Sequence, residues 1–303
     1  MRVFVTGASG HIGSAVVPEL LQAGHQVVGL ARSDSSAAAL SAAGAQVRRG
    51  DLDDLDGLAE AAAAADGVIH LAFRHDLMGA GDFAGAVDAD LAAIKALAAP
   101  LAGTGKPLVT TSGTLMLTFA GISGRPATEA DFAESGPRVE AENFVIGLAG
   151  RGVRSSIVRL PPIVHSPLDH HGFAHILIAI ARQAGESAYV GDGANRWPSV
   201  HTLDAARVYR LALEGAPAGT RLHAVADEGI EFSEIAAAIG RGVGVPVASI
   251  SAADAAERFA FLGGAVGVDN PTSSELTRKI LGWEPAYPGL IEDLEHGHYL
   301  DQG

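Results

Sequence analysis

Over the first 160 residues, short runs rich in valine and isoleucine alternate with longer segments rich in alanine and leucine. That rhythm builds βαβ units around a parallel sheet. It predicts strands at Val3–Thr6, Gln26–Ala31, Gln46–Arg48, Gly67–Leu71, Pro107–Thr111 and Val153–Arg159. Helices are predicted between them at His11–Ala23, Ala37–Ala43, Leu55–Ala64, Asp82–Ala102 and Arg138–Arg151, most of them amphipathic or alanine-rich. The run Ala61–Ala65 reads as helix surface, with Asp66-Gly67 as its stop.

Past Arg159 the pattern changes. Pro161-Pro162, a histidine-rich loop from His165 to His171, an apolar helix Phe173–Ala184 and the Gly/Trp segment Gly191–Pro198 mark where the chain leaves the sheet. A helix at Leu203–Glu214 and a strand at Arg221–Ala226 return to it. The expected architecture is an α/β fold, a Rossmann doubly wound parallel sheet with a smaller, discontinuous C-terminal substrate lobe. Residues 1–160 plus about 199–228 form the sheet domain, and 161–198 with 229–303 form the lobe.

Composition narrows the chemistry. The formal charge is -14 with no basic run, which argues against a nucleic-acid partner and leaves a small molecule as the expected one. The chain has no cysteine, so disulfides, thiolate zinc sites and a thiol nucleophile are excluded and redox work needs a cofactor. No apolar run reaches membrane-spanning length and the opening residues do not read as a signal peptide, so a cytoplasmic protein is expected. Neither the adjacent His170-His171 nor His296 and His298 have the ligand spacing of a metal site, and none is expected.

One motif stands out. Gly7-Ala8-Ser9-Gly10-His11-Ile12-Gly13 reads GxxGxxG between a predicted strand and a predicted helix, the context that binds a dinucleotide. The first glycine permits a tight turn, the second lets amides approach a pyrophosphate, and the third lets helix and strand pack closely. The anion then rests on the unpaired amides and positive end of the helix. At the end of the second strand an acid would read the ribose hydroxyls and a base would accept a 2′-phosphate. The chain has Arg32-Ser33 there, with Asp34 beyond the usual place, which favours NADP(H) over NAD(H). The alternative is that Arg32 is a solvated loop residue and Asp34 caps the next helix.

Further segments carry a resemblance: Asp51-Leu52, His70-Leu71-Ala72-Phe73, Thr111-Ser112-Gly113-Thr114, Val158-Arg159-Leu160-Pro161-Pro162-Ile163-Val164-His165 and Val200-His201-Thr202-Leu203-Asp204-Ala205-Ala206. With the glycine motif they make the chain resemble the atypical branch of the extended short-chain dehydrogenase/reductases, proteins of NAD(P)-dependent epimerase/dehydratase type. The resemblance implies that Asp51-Leu52 reads adenine, although Asp51 could equally form a turn. It also implies that Leu71, Ala72 and Phe73 line the cofactor, and that Pro161 and Ile163 lie on the nicotinamide side. A homodimer through the helices flanking the site is common among such relatives.

The resemblance breaks at the catalytic pair. The family uses a serine after the fifth strand and a Tyr-x-x-x-Lys pair whose lysine lowers the tyrosine pKa. Here the residues four places after Tyr189, Tyr209, Tyr287 and Tyr299 are Gly193, Leu213, Ile291 and Gly303. Aligning Glu142 with the family's glutamate puts Arg138 at the lysine position and Glu134 at the tyrosine position. Arginine stays protonated and cannot shuttle a proton, and a salt bridge between Arg138 and Glu134 is the expected arrangement. Ser112 could donate to a substrate oxygen with help from Thr114, or could simply end its strand. His165, at the place of a tyrosine near the nicotinamide in relatives, is the leading proton donor, or else anchors a loop. His201 is more easily read as a brace. Phe73, Phe173 and Trp197 could wall an apolar pocket or belong to the core.

The leading functional expectation is an NADP(H)-dependent oxidoreductase that reduces a small carbonyl by direct hydride transfer with a non-standard proton donor. A sugar-nucleotide epimerase or dehydratase ranks lower, because the catalytic pair is missing and the second lobe is poor in basic residues. A non-catalytic NADP(H) sensor is the third reading.

Overall fold

The computed structural model describes residues 1–296 and 298–300. Seven strands form the central sheet: β1 (Arg2–Thr6), β2 (Gln26–Ala31), β3 (Gln46–Arg49), β4 (Gly67–His70), β5 (Pro107–Gly113), β6 (Arg154–Leu160) and a late strand at Thr220–His223. The order is β3-β2-β1-β4-β5-β6 followed by the late strand, all parallel. The order of successive strands reverses between β1 and β4, and in open α/β sheets ligands bind at that switch point, beyond the C-terminal strand ends.

Alternation along β1 explains why both faces are covered. Val3 and Val5 point into a core built with helices Gly13–Gln22 and Thr202–Gly215, whereas Phe4 points into one built with helices Leu55–Ala63 and Phe83–Ala98. Strands buried on both faces therefore read as continuous apolar runs. The C-terminal region also reaches this core: Trp283, expected in the lobe, is fully buried beside Tyr209, and its indole donates to the Asp204 carbonyl.

The remaining strands lie outside the βαβ rhythm of the sequence. They are β7 (Ile163–His165), β8 (Ser187–Val190), β9 (Arg196–His201), and, after the late central strand, which becomes β10, β11 (Asp227–Glu231) and β12 (Val247–Ile250). β7 pairs in parallel with β9, β9 pairs antiparallel with β11, and β8 pairs in parallel with β12. Between them helices Phe173–Ala184 and Phe232–Val243 enclose a second core around Trp197, which meets Phe232 edge-on at 5.0 Å and Phe173 at 6.2 Å. Truncating a fully buried aromatic of this kind costs about 3–5 kcal/mol. Among the described residues no helix is long and apolar enough to cross a membrane.

Candidate active site and cofactor cleft

The turn after β1 tolerates only glycine at two of the three places where the sequence puts it. Gly7 has φ +65°, and a Cβ there would sit 2.7 Å from the Ala72 amide nitrogen. A Cβ on Gly13 would sit 2.1 Å from the Gly7 carbonyl oxygen. Gly10, by contrast, has nothing nearer than the Gly7 oxygen at 3.3 Å. The turn thus keeps a cradle that side chains would fill, with Ser9 exposed and Ile12 at the mouth of helix Gly13–Gln22. These features fit a pyrophosphate on the helix amides. His11 reaches a buried partner: its Nε2 lies 2.9 Å from Thr202 Oγ1. Burial lowers the His11 pKa, with Asp169 opposing.

At the end of β2 the charges sort themselves. Asp34 pairs with Arg49 at 2.8 Å, and Arg49 also donates to the Ser33 carbonyl. Ser33 Oγ accepts from the Ser36 amide, so Ser33 rather than Asp34 caps the helix. Arg32 is exposed and has no ion-pair partner among the described residues. Asp51 Oδ1 accepts the amides of Asp53 and Asp54, forming a turn, while Leu52 is buried under it.

Around β5 the sequence reading needs correction. Ser112 is placed as expected, at the strand end, and its Oγ enters no hydrogen bond among the described residues and is not a sealed buried atom. Thr114 is different: fully buried, its hydroxyl donates to Asn270 at 2.8 Å, so it is not available to help Ser112. Glu134 is exposed and does not meet Arg138. The arginine donates instead to the Thr111 carbonyl at 2.8 Å and lies 3.4 Å from Asp90. Its guanidinium carbon sits 4.6 Å over the Phe73 ring, and its Nε is buried without a partner. Arg138 also has φ +62°, a left-handed backbone that costs a non-glycine residue about 1–3 kcal/mol.

A buried polar chain fixes that arginine. Thr6 Oγ1 accepts the Ala72 amide and lies 2.7 Å from His70 Nδ1, and His70 Nε2 donates to the Asp90 carboxylate at 3.2 Å. Burial pushes the Asp90 carboxyl up, but the His70 hydrogen bond and the Arg138 charge outweigh it and hold it below the usual range. Tyr209 belongs to the same layer, with its hydroxyl 2.8 Å from Thr111 Oγ1. Full burial raises its pKa far above that of a usable phenol.

The histidine expected as proton donor faces the other way. His165 is completely buried, its Nδ1 is 2.8 Å from Asp293, and its Nε2 is sealed without a partner. With no open nitrogen it cannot reach a substrate, and its role is to pin helix Leu290–His296 against β7. Ile163 is likewise buried in the second core, so its side chain does not line the cofactor cleft, and Pro161 is buried as well. His201 accepts the Leu203 amide and stacks on Tyr287 at 4.8 Å. Among the described residues no three His, Asp or Glu side chains are grouped to hold a metal.

The residue missed in the sequence is His75. The segment leaving β4 runs beside β5, where His70 stands opposite Thr110. It carries Phe73 toward Arg138 and then turns, so that the His75 ring meets Phe73 edge-on at 5.4 Å. Arg74 clamps the turn, holding both oxygens of Asp53 at 2.9 Å and Asp76 at 3.0 Å.

Known proteins resemble this chain in sequence and in fold. The family model "NAD dependent epimerase/dehydratase family" matches residues 3–85. An uncharacterized protein of Schizosaccharomyces pombe is 47% identical over 300 residues, covering 99% of this chain and 100% of its own. The 2-alkyl-3-oxoalkanoate reductase of Stenotrophomonas maltophilia is 30% identical over 227 residues, 72% of this chain and 67% of its own. Among solved structures, dTDP-glucose 4,6-dehydratase of Streptomyces venezuelae with NAD bound has a TM-score of 0.75 at 21% identity, covering 97% of this chain and 95% of its own. UDP-glucose 4-epimerase of Thermotoga maritima with UDP-glucose has a TM-score of 0.78 at 17% identity, covering 100% and 99%.

Proposed function

The chain belongs to the NAD-dependent epimerase/dehydratase family, whose members are NAD(P)-dependent enzymes of the short-chain dehydrogenase/reductase type, and on that premise we propose that it is an NADP(H)-dependent reductase of small carbonyl compounds. The observation that carries this reading is Ser112: a hydroxyl at the end of β5 with no hydrogen-bond partner among the described residues, next in sequence to the carbonyl that Arg138 holds. Such a hydroxyl can donate to a carbonyl oxygen as negative charge develops on it. Reduced nicotinamide, when bound, supplies the hydride. The amides of Gly10 to Gly13 would hold the pyrophosphate, Arg32 with Ser33 the 2′-phosphate, Asp51 and Leu52 the adenine edge, and Leu71 to Phe73 the face of the cofactor.

Arg138 replaces the family's lysine as a fixed positive charge. It stacks on Phe73 and cannot give up its proton, so it orients and neutralises charge but shuttles nothing. A carbonyl substrate is favoured over a sugar nucleotide by the basic residues of the second lobe. Arg196, Arg241, Arg258 and Arg278 are each paired with a carboxylate, which leaves little to hold a diphosphate. The 3-oxo acid in the name of the Stenotrophomonas relative agrees with a carbonyl carrying a nearby anion, for which Arg138 is the natural neighbour.

The test follows NADPH absorbance against aldehydes, ketones, quinones and 3-oxo esters. Turnover is expected, with Ser112→Ala lowering kcat about 10²–10³-fold at unchanged NADPH affinity. NADPH binding without turnover on any member of the panel would instead favour a sensor.

A further inference from the structure

We propose that His75 is the proton donor of the reduction, acting at the substrate oxygen that Ser112 polarises; this rests on the reductase reading above. Carbonyl reduction needs a hydrogen with two electrons at carbon and a proton at oxygen. The first comes from the reduced nicotinamide, which leaves oxidised. For the second, an imidazolium N–H bond of His75 breaks as the O–H bond of the product alcohol forms. The neutral ring is then reprotonated by solvent.

Placement leads to this residue, and the titratable side chains described above around β4 to β7 are already engaged. His70 lies between Thr6 and Asp90 with no exposure to spare, His165 is sealed against Asp293, and His201 holds the Leu203 amide. His11 is spent on Thr202, and Tyr209 is buried against Thr111. His75 is exposed, and neither ring nitrogen takes a hydrogen bond among the described residues. It is also where a proton donor is needed. Phe73 carries Arg138 at 4.6 Å and His75 at 5.4 Å, while Arg138 reaches the carbonyl of Thr111, the residue before Ser112. Because β4 and β5 are adjacent and parallel, the segment from Leu71 to His75 borders the Ser112 end of the sheet. The turn that presents the ring is held by Arg74 on Asp53 and Asp76 and by the His75 amide donating to the Phe73 carbonyl at 2.9 Å.

Two charged groups face the ring, Arg138 across Phe73 and Asp76 on the same short helix. Burial and then Arg138 lower the imidazole pKa, with Asp76 opposing. Reduction therefore falls as pH rises through a value on the acidic side of neutrality, and alcohol oxidation rises over the same interval.

The experiment pairs kinetics with a readout that needs no turnover. In the full-length protein, the His75 ring resonances, assigned by their loss in His75→Gln, are titrated by NMR. A pKa below that of a free histidine, rising in Arg138→Gln, is expected; a ring indifferent to Arg138 overturns the placement. With the best carbonyl of the panel, His75→Ala is expected to lower kcat about 10²-fold, to flatten the pH profile, to leave NADPH affinity unchanged by calorimetry, and to recover with added imidazole. Kinetics within about threefold of wild type, or no rescue by imidazole, while Ser112→Ala is inactive, overturns His75 and leaves the reductase standing. No turnover by the wild-type protein on any carbonyl overturns both.

Discussion

The Asp34 carboxylate lies 2.8 Å from the Arg49 guanidinium, a pair formed between the end of β2 and the end of β3. Asp34, the acid nearest Arg32 in sequence, is thereby engaged, and Arg32 has no ion-pair partner among the described residues. Arg32→Glu is expected to raise the Kd for NADPH about 10–100-fold while moving NADH by less than about threefold, since a charged fork on phosphate is replaced by repulsion. Calorimetry with both nucleotides measures this. Equal losses for the two would remove Arg32 from the site.

The second and third glycines of the motif separate folding from binding. Gly13→Ala places a Cβ 2.1 Å from the Gly7 oxygen, an overlap of backbone with backbone that should cost roughly 3 kcal/mol or more of stability. Gly10→Ala meets nothing closer than 3.3 Å. It should change stability by less than about 1 kcal/mol while weakening NADPH binding, because the added methyl stands where the pyrophosphate approaches. Urea denaturation and calorimetry on the two variants distinguish the effects.

His223 gives the fold an acid-labile point away from the cleft. Its Nδ1 donates to the Ser273 carbonyl at 2.7 Å, so its Nε2 must accept from Arg159 at 3.1 Å, and the ring is held neutral. Burial, and next the Arg159 charge, lower its pKa to about 3. An unfolded chain takes up this proton near pH 6.5, whereas the folded site refuses it until about pH 3. The contribution is thus complete above pH 6.5 and is lost as pH falls, at about 1 kcal/mol per pH unit. Denaturation at pH 7, 6 and 5 should show that slope, and His223→Gln should reduce it. A slope unchanged in the variant would assign the acid lability elsewhere.

Tyr209→Phe removes a buried hydroxyl 2.8 Å from Thr111. Stability should fall by about 1 kcal/mol, and NADPH-dependent turnover should stay within about threefold of wild type, because a phenol this deeply buried moves no proton. A collapse of kcat would restore a catalytic tyrosine.

The sheet was legible because period and punctuation agree along it. Gln26–Ala31 was bounded correctly, and the helix Phe173–Ala184 was read to the residue. Register and partners were not legible. β7, with three residues, has no detectable period, and Trp283 looks the same in sequence whether it serves the lobe or, as found, the main core. At the site, the glycine turn and Ser112 carried strong local signals. His165 misled because its position by analogy said nothing about burial, which Asp293, 128 residues away, determines. Arg138 found Asp90 rather than Glu134 for the same reason: ion pairs are set by packing, and their partners lie far along the chain. His75 sits five residues after His70, within one visible cluster, yet only the turn clamped by Arg74 brings it round to Phe73.

Thr202 holds three segments through a single oxygen. Its Oγ1 donates to the His165 carbonyl at 3.1 Å and receives His11 Nε2 at 2.9 Å and the Ser166 hydroxyl at 2.8 Å. The nucleotide turn, the strand after the prolines and the helix that closes the sheet therefore share one fastening. A chimera that exchanged only the later half of the chain would have to bring a compatible residue at position 11, so in this molecule cofactor turn and substrate cap are best treated as one transferable part.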